Sequence, residues 1–301
     1  MTAPSRRLPT GQGDGRQSST RLRRSVGKVP IYLMLAAGAA FALIPFVWML
    51  STAFKTPGQL FTFPPEWIPN PVAWTNFGEA WSALPFSAMV LNSIFVTTLA
   101  MIGELASAAV VAYGFARFQF RFRNVLFLLM LSTMMLPWVV TLIPGFLIWR
   151  QFGLINTFDP LTVGALFAWG PFYVFLLRQF FLGVSRDIEE AAIVDGANPL
   201  QILWFVMLPL VRPVLLAVAV LSFQGNWNNF RGALIYLQEP LTRFTLPLGL
   251  QFFQATLSGG EAPRWHLMMA MSTLMVIPVM VLFFLAQRQF IEGIQLGGVK
   301  G

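Results

Sequence analysis

The chain has 301 residues, of which 56% are hydrophobic and only 11% charged, with 20 Lys and Arg against 12 Asp and Glu for a formal charge of +8. A soluble domain carries about 25% charged residues, so this composition excludes an ordinary water-soluble globule. With no cysteine and a single histidine, His266, disulfides and thiolate chemistry are excluded, and a zinc site or histidine-based catalysis has no ligand set to draw on.

Residues 1–28 are rich in Ser, Arg, Gly and Pro and read as a disordered, basic cytoplasmic tail. The rest, 29–301, reads as one membrane domain. Six blocks lack Asp, Glu, Lys and Arg: 31–54, 85–103, 124–149, 160–177, 213–230 and 265–287. A helical span needs about 20 apolar residues, so the fold class expected is an all-α integral membrane protein with six transmembrane helices. The first block is longer than the roughly 7–15 residues of a signal-peptide core and is expected to stay as an anchor helix. Lys and Arg fix the orientation. With the tail inside, 15 of the 20 basic residues fall on the cytoplasmic side, which predicts cytoplasmic N- and C-termini. The charge is therefore a topology signal. No basic cluster sits on a soluble domain, so lipid is the expected surrounding and nucleic acid is not.

Taken in order, helix one is expected to break near Pro45. The segment 55–84, with several prolines and Trp67, Trp74 and Trp81, suits irregular structure on the outer membrane face. Helix two, about 86–113, ends in Ala112-Tyr113-Gly114-Phe115-Ala116-Arg117 and carries Glu104 roughly 13 Å from its inner end. Such an acid either lines a cavity, where it binds cargo or carries protons, or packs hydrogen-bonded between helices. Gly103, Ala106, Ser107 and Ala109 favour close helix contact there. Pro137 and Pro144 in helix three, Pro171 in helix four and Pro278 in helix six each remove a backbone bond and invite a break.

The acidic stretch from Asp187 to Asp195, running on to Pro209, lies between helices four and five and reads as a helix–turn–helix over 185–209. Asp187, with Glu190 three residues on, suits a capping box. Asp195-Gly196 is a turn signal, Asn198 an N-cap and Pro199 a first helical residue. Helix five begins near Pro213 and carries Asn226-Trp227-Asn228-Asn229 about 20 Å further on. Amides beside a flat indole suit a polyhydroxylated ligand such as a sugar, or else pair with neighbouring helices and mark a helix end. No Gly-x-x-x-x-Gly-Lys stretch is present, so any ATP that drives this protein binds another chain.

Glu190-Ala191-Ala192, Asp195-Gly196-Ala197 and Leu208-Pro209, at their spacing, resemble the EAA loop of ABC importer permeases, with Val206 where the family usually has Ile. Ala112–Arg117, Leu136-Pro137 with Ile143-Pro144, Gly153-Leu154-Ile155-Asn156-Thr157, Trp227–Phe230 and the ending Gly297–Gly301 resemble the carbohydrate-importer branch, nearest the maltose-type second permease subunit. The run Ile294-Gln295-Leu296 departs from that branch's ending. The resemblance implies that the hairpin is a coupling helix seated on a cytoplasmic ATPase, with Glu190, Ala191, Ala192, Asp195, Gly196, Ala197, Leu208 and Pro209 as the coupling loop. It implies a related permease as heterodimer partner, two ATPase subunits and an extracytoplasmic solute-binding protein. ATP and magnesium would sit on the ATPase, with no cofactor and no catalysis on this chain. Asn226, Trp227, Asn228, Asn229 and Glu104 are the candidate substrate path. Rival readings are an ion-coupled secondary transporter using Glu104, a membrane scaffold whose loop recruits a soluble partner, and an importer of another polar solute such as glycerol phosphate.

Overall fold

A computed structural model describes residues 29–257 and 264–297; the predicted tail and the final four residues of the Gly297–Gly301 run lie outside it. The described residues are helical throughout, with no strand among them. Helices α1 (Val29–Ala53), α2 (Thr75–Ala83), α3 (Phe86–Arg117), α4 (Arg123–Ser132) and α5 (Trp138–Gln151) come first. They are followed by α6 (Asp159–Thr162), α7 (Pro171–Gly183), α8 (Arg186–Val194), α9 (Pro199–Leu210), α10 (Arg212–Trp227), α11 (Phe230–Tyr236), α12 (Leu246–Leu257) and α13 (Trp265–Gly297).

Four stretches are long and apolar enough to cross a bilayer unaided: Pro30–Ala53, Phe86–Arg117, Asp159–Gly183 and Trp265–Gln287. Two more spans are bent. Arg123–Met135 meets Trp138–Gln151 at 100°, and Pro199–Leu210 meets Arg212–Trp227 at 87°. Among the described residues, the six-span expectation thus takes the form of three unbroken helices, one span, Asp159–Gly183, interrupted at Ala168, and two sharply bent spans.

Proline alone does not decide where a span breaks. Pro45, Pro144 and Pro278 all lie inside continuous helices, so the break expected near Pro45 does not occur. One missing N–H costs a single bond. Opening the helix in lipid would strand several more polar groups with no water to satisfy them. Pro137 instead stands at the N-cap of α5, on the 100° bend, and Pro171 starts α7.

Helix α3 is the centre of the bundle, packing against α7, α10 and the segment between α6 and α7. Small residues permit this. Gly103, Ala108, Ala109, Ala112 and Ala116 are buried, and a Cβ on Gly103 would lie 3.1 Å from Leu166 and 3.3 Å from the Ala165 backbone. Ser107 mends the adjacent break. Its Oγ lies 2.7 Å from the Ala165 carbonyl and accepts from the Ala168 N–H at 3.1 Å, where Ala168 adopts a left-handed φ of 54°. Groups freed by the break are thereby satisfied within the protein, as lipid requires.

Two apolar cores result. One joins Ala112, Tyr113 and Ala116 of α3 to Leu177 and Phe181 of α7, to Ile202, Leu203 and Met207 of α9 and to Val214 of α10. The other, toward the opposite end of α3, gathers Phe86 and Met89 with Trp227, Phe244, Leu248 and Met271. The Pro- and Trp-rich segment after α1 is tied down rather than loose. Asn76 donates to the carbonyls of Ala53 and Lys55, Ser51 donates to the Trp67 carbonyl, and the Lys55 ammonium, 1% exposed, lies 4.0 Å from the Trp48 ring centre.

Candidate functional site

The acidic stretch forms the expected pair of helices, α8 and α9. Its first cap differs from expectation. Ser185, not Asp187, is the N-cap: its Oγ accepts from the Asp187 N–H, and Asp187 sits inside the first turn as an acid favoured by the helix dipole. The turn closes as a Schellman motif. The N–H of Ala197 donates to the Ala192 carbonyl and that of Gly196 to the Ile193 carbonyl, both at 3.0 Å. Gly196 has φ +84°, a conformation that a Cβ would strain although open space surrounds it. Asn198 caps α9 as expected and exchanges two bonds with Gln201 in a full capping box. Within α9, residues Ile202–Met207 are π-helical and send Ile202, Leu203 and Met207 into the core.

The residues of the expected coupling loop divide by direction. Glu190, Ala191, Asp195 and Gly196 are exposed, whereas Ala192 and Ala197 pack against the core. Of the two neighbouring alanines, Ala191 points outward and Ala192 serves the chain's own packing. Leu208 is buried, and Pro209 lies beside the 87° bend at Val211. The hairpin tip exposes Ile193, Leu200 and Val194, the last 87% exposed.

Glu189 is the carboxylate that fastens the hairpin. It pairs with Arg117 Nε at 2.9 Å and accepts from the Tyr113 hydroxyl, while Arg117 Nη2 donates to the Val184 carbonyl at 2.8 Å. The side chains of Arg117 and Glu189 are 6% and 14% exposed. Sequence reading passed over Glu189, although Tyr113 and Arg117 stand at i, i+4 on one face of α3 and so converge on a single partner. Beside them Arg178 donates to the Phe115 carbonyl and covers the Phe127 ring at 4.2 Å.

The amide cluster is spread over several surroundings. Asn226 and Asn229 line a cavity of about 470 Å³, together with Glu104, Thr141, Arg231, Tyr236 and the indoles of Trp138, Trp149 and Trp169. Glu104 is hydrogen-bonded as well as cavity-lining. Its Oε2 accepts from Ser222 at 2.5 Å and from Asn226 at 3.3 Å, which ties α3 to α10. Arg231 lies 4.9 Å from the Trp138 ring centre. Two of the four consecutive residues do not face this cavity. Trp227 is a core residue, stacked on Phe223 and donating to the Met275 carbonyl. Asn228 is exposed and donates to the Gln224 carbonyl at the end of α10. A helix turns about 100° per residue, so four successive side chains cannot share one wall. Asn229 also caps α11 by accepting from the Gly232 N–H.

The Asn156 amide in Gly153–Thr157 clasps the loop beyond α11. It donates to the Glu239 carbonyl and accepts from the Gln238 N–H, and its own carbonyl accepts from Arg243 at 2.6 Å. Asn156 has φ +64°, which Asn tolerates better than most residues.

Residues 106–295 match the family described as binding-protein-dependent transport system inner membrane component. The chain is 31% identical, over 92% of its length and 90% of the relative's, to the probable ABC transporter permease protein YurM of Bacillus subtilis. It is 33% identical, over 86% of its length and 92% of the relative's, to the diacetylchitobiose uptake system permease protein DasC of Streptomyces coelicolor. Among solved structures, a bacterial ABC transporter involved in import of the acidic polysaccharide alginate contains a chain that superposes with a TM-score of 0.75 at 24% identity, covering 93% of this chain and all of that one.

Proposed function

The chain belongs to the family of binding-protein-dependent transport system inner membrane components, and from that premise we propose how its two sites divide the work. It is a multi-pass inner-membrane permease of an ABC importer, a transport component rather than an enzyme. We propose that the α8–α9 hairpin seats on a cytoplasmic ATPase subunit and that the Glu104 cavity forms part of the path of a sugar or oligosaccharide. The full importer would hold this chain, a related permease and two ATPases that carry ATP and magnesium. A solute-binding protein would deliver cargo from outside. Residues 29–301 form its membrane domain, with both termini and the 1–28 tail on the cytoplasmic side.

One observation carries the docking reading. The hairpin offers exposed Ile193, Val194 and Leu200 beside the carboxylates of Glu190 and Asp195, while its base is locked to α3. A rigid, mixed apolar and acidic tip fits a protein cleft rather than lipid. For the cargo, three indoles with amides and two hydroxyls supply flat apolar faces and paired donors and acceptors suited to a polyhydroxylated solute. A relative is named for diacetylchitobiose uptake, in keeping with that reading. Family membership removes the ion-coupled secondary transporter and the non-transporting scaffold.

Proteoliposomes holding the co-expressed permease pair, ATPases and binding protein test this. Labelled oligosaccharide should enter only with ATP and the binding protein, and entry should survive collapse of ion gradients. Competition by glycerol phosphate but by no sugar would overturn the cargo reading. Failure of any ATPase to co-purify would overturn the docking reading.

A further inference from the structure

We infer that Glu189, Arg117 and Tyr113 form a latch that makes α3, rather than the two spans the hairpin joins in sequence, the element that carries hairpin movement to the cavity. This rests on the docking reading above.

The covalent connections of the hairpin are its weakest mechanical links. Before α8 the chain runs through extended Val184 (φ −78°, ψ 134°) and the non-helical Ser185 cap. After α9 it turns 87° at Val211. Both joints leave the helical hydrogen-bond ladder, so neither transmits bending as a continuous helix would. The link to α3 is of another kind. Arg117 holds Glu189 of the hairpin and the Val184 carbonyl of the joint at once, and Tyr113 donates to the same carboxylate from one turn away. These side chains are largely withdrawn from solvent, where losing one partner leaves the other charged and unmatched. From Arg117, α3 runs unbroken to Glu104, thirteen residues and about 20 Å away, where it meets Ser222 and Asn226 at the cavity. One continuous helix therefore ends in a charge clamp on the hairpin and carries a cavity-lining acid. Tyr113, Arg117 and Glu189 are positioning residues in this scheme, since they act through α3 and touch neither solute nor nucleotide.

The test uses Arg117→Glu, Glu189→Arg and the double exchange in the complete importer. The readout is solute imported per ATP hydrolysed, per assembled complex. Coupling free energies of about 1–3 kcal/mol correspond to 5–150-fold effects, so each single variant should lower that ratio by about tenfold or more. The double exchange should restore most of it. Proportional loss of transport and hydrolysis without rescue would reveal a merely structural contact, and an unchanged ratio in both single variants would also overturn the latch. A second measurement, on the assembled complex, needs neither ATP nor solute. The chain has no cysteine of its own, so spin labels placed through Val110→Cys on α3 and Asp187→Cys on α8 report one distance. That distribution should be narrow and should broaden on adding Arg117→Gln; an unchanged width overturns the latch. If the unmodified importer shows no ATP-driven uptake, the docking reading falls, while the spin-label result still decides the latch.

Discussion

Helix α3 meets an acidic side chain in two regions of the molecule and treats each differently. At the hairpin end Glu189 is matched by a full positive charge, a phenol hydroxyl and a nearly dry setting. At the cavity, the donors to Glu104 among the described residues are the neutral Ser222 and Asn226, and it borders about 470 Å³ of open space. A charged pair fixes geometry strongly and is costly to break; a carboxylate held by a hydroxyl and an amide can exchange partners at much lower cost. The first arrangement suits a joint that must not slip. The second suits the cargo path proposed for this cavity.

The contrast is broken most directly at Glu104. Glu104→Leu removes the acceptor of the buried Ser222 hydroxyl and should lower stability by about 1–3 kcal/mol, the cost of leaving that donor unmatched, while Asn226 keeps its bond to the Ser222 carbonyl. Thermal unfolding of the purified permease complex measures this. Glu104→Gln keeps an acceptor oxygen and should unfold close to the parent and still import solute. Were Glu104→Gln as damaging as Glu104→Leu, the charge itself would matter at the cavity, and the two regions would be alike.

Gly196→Ala probes the hairpin end at smaller scale. A Cβ meets no atom there, so only backbone strain at φ +84° acts, costing about 1 kcal/mol. The turn should loosen locally, and hydrogen exchange at the Ala197 N–H should quicken while the Arg117–Glu189 pair holds. Exchange that also quickens across α3 would mean that the turn, rather than the ion pair, fixes the hairpin.

What the sequence reveals here is mostly local. Six apolar blocks, the Asp195-Gly196 turn and the Asn198-Pro199 helix start each depend on residues within a few positions of one another, and each is present. Features that depend on distant pairing are not legible in the same way. Glu189 lies 76 residues from Tyr113, and Glu104 lies 118 from Ser222. No periodicity links such residues; only the i, i+4 spacing of Tyr113 and Arg117 hints that a partner exists. Prolines make the same point within one residue type. Pro45 and Pro137 both interrupt apolar runs, yet α1 continues through the first and the chain turns 100° at the second. A proline removes one bond, and whether the helix opens further depends on what stands ready to satisfy the freed groups, as Ser107 does for Ala168.

The smallest effect is expected from Asn228→Ala, and it tests the outline of the cavity. Asn228 sits between two residues that line that cavity, Asn226 and Asn229, in the run Asn226-Trp227-Asn228-Asn229, and by sequence alone it has an equal claim to touch cargo. In the structure its side chain is exposed, lies outside the cavity lining and makes one bond, to the Gln224 carbonyl at 2.9 Å. Losing an exposed bond of that kind costs about 0.5 kcal/mol. Asn229→Ala should cost about 1 kcal/mol, because it removes the cap of α11 and also alters the cavity wall. Uptake competition among several sugars should therefore leave the Asn228→Ala profile superimposable on the parent and shift that of Asn226→Ala. A changed profile in Asn228→Ala would mean that the end of α10 unwinds or rotates during transport and turns Asn228 inward, and the cavity outline drawn from this one conformation would then have to include it.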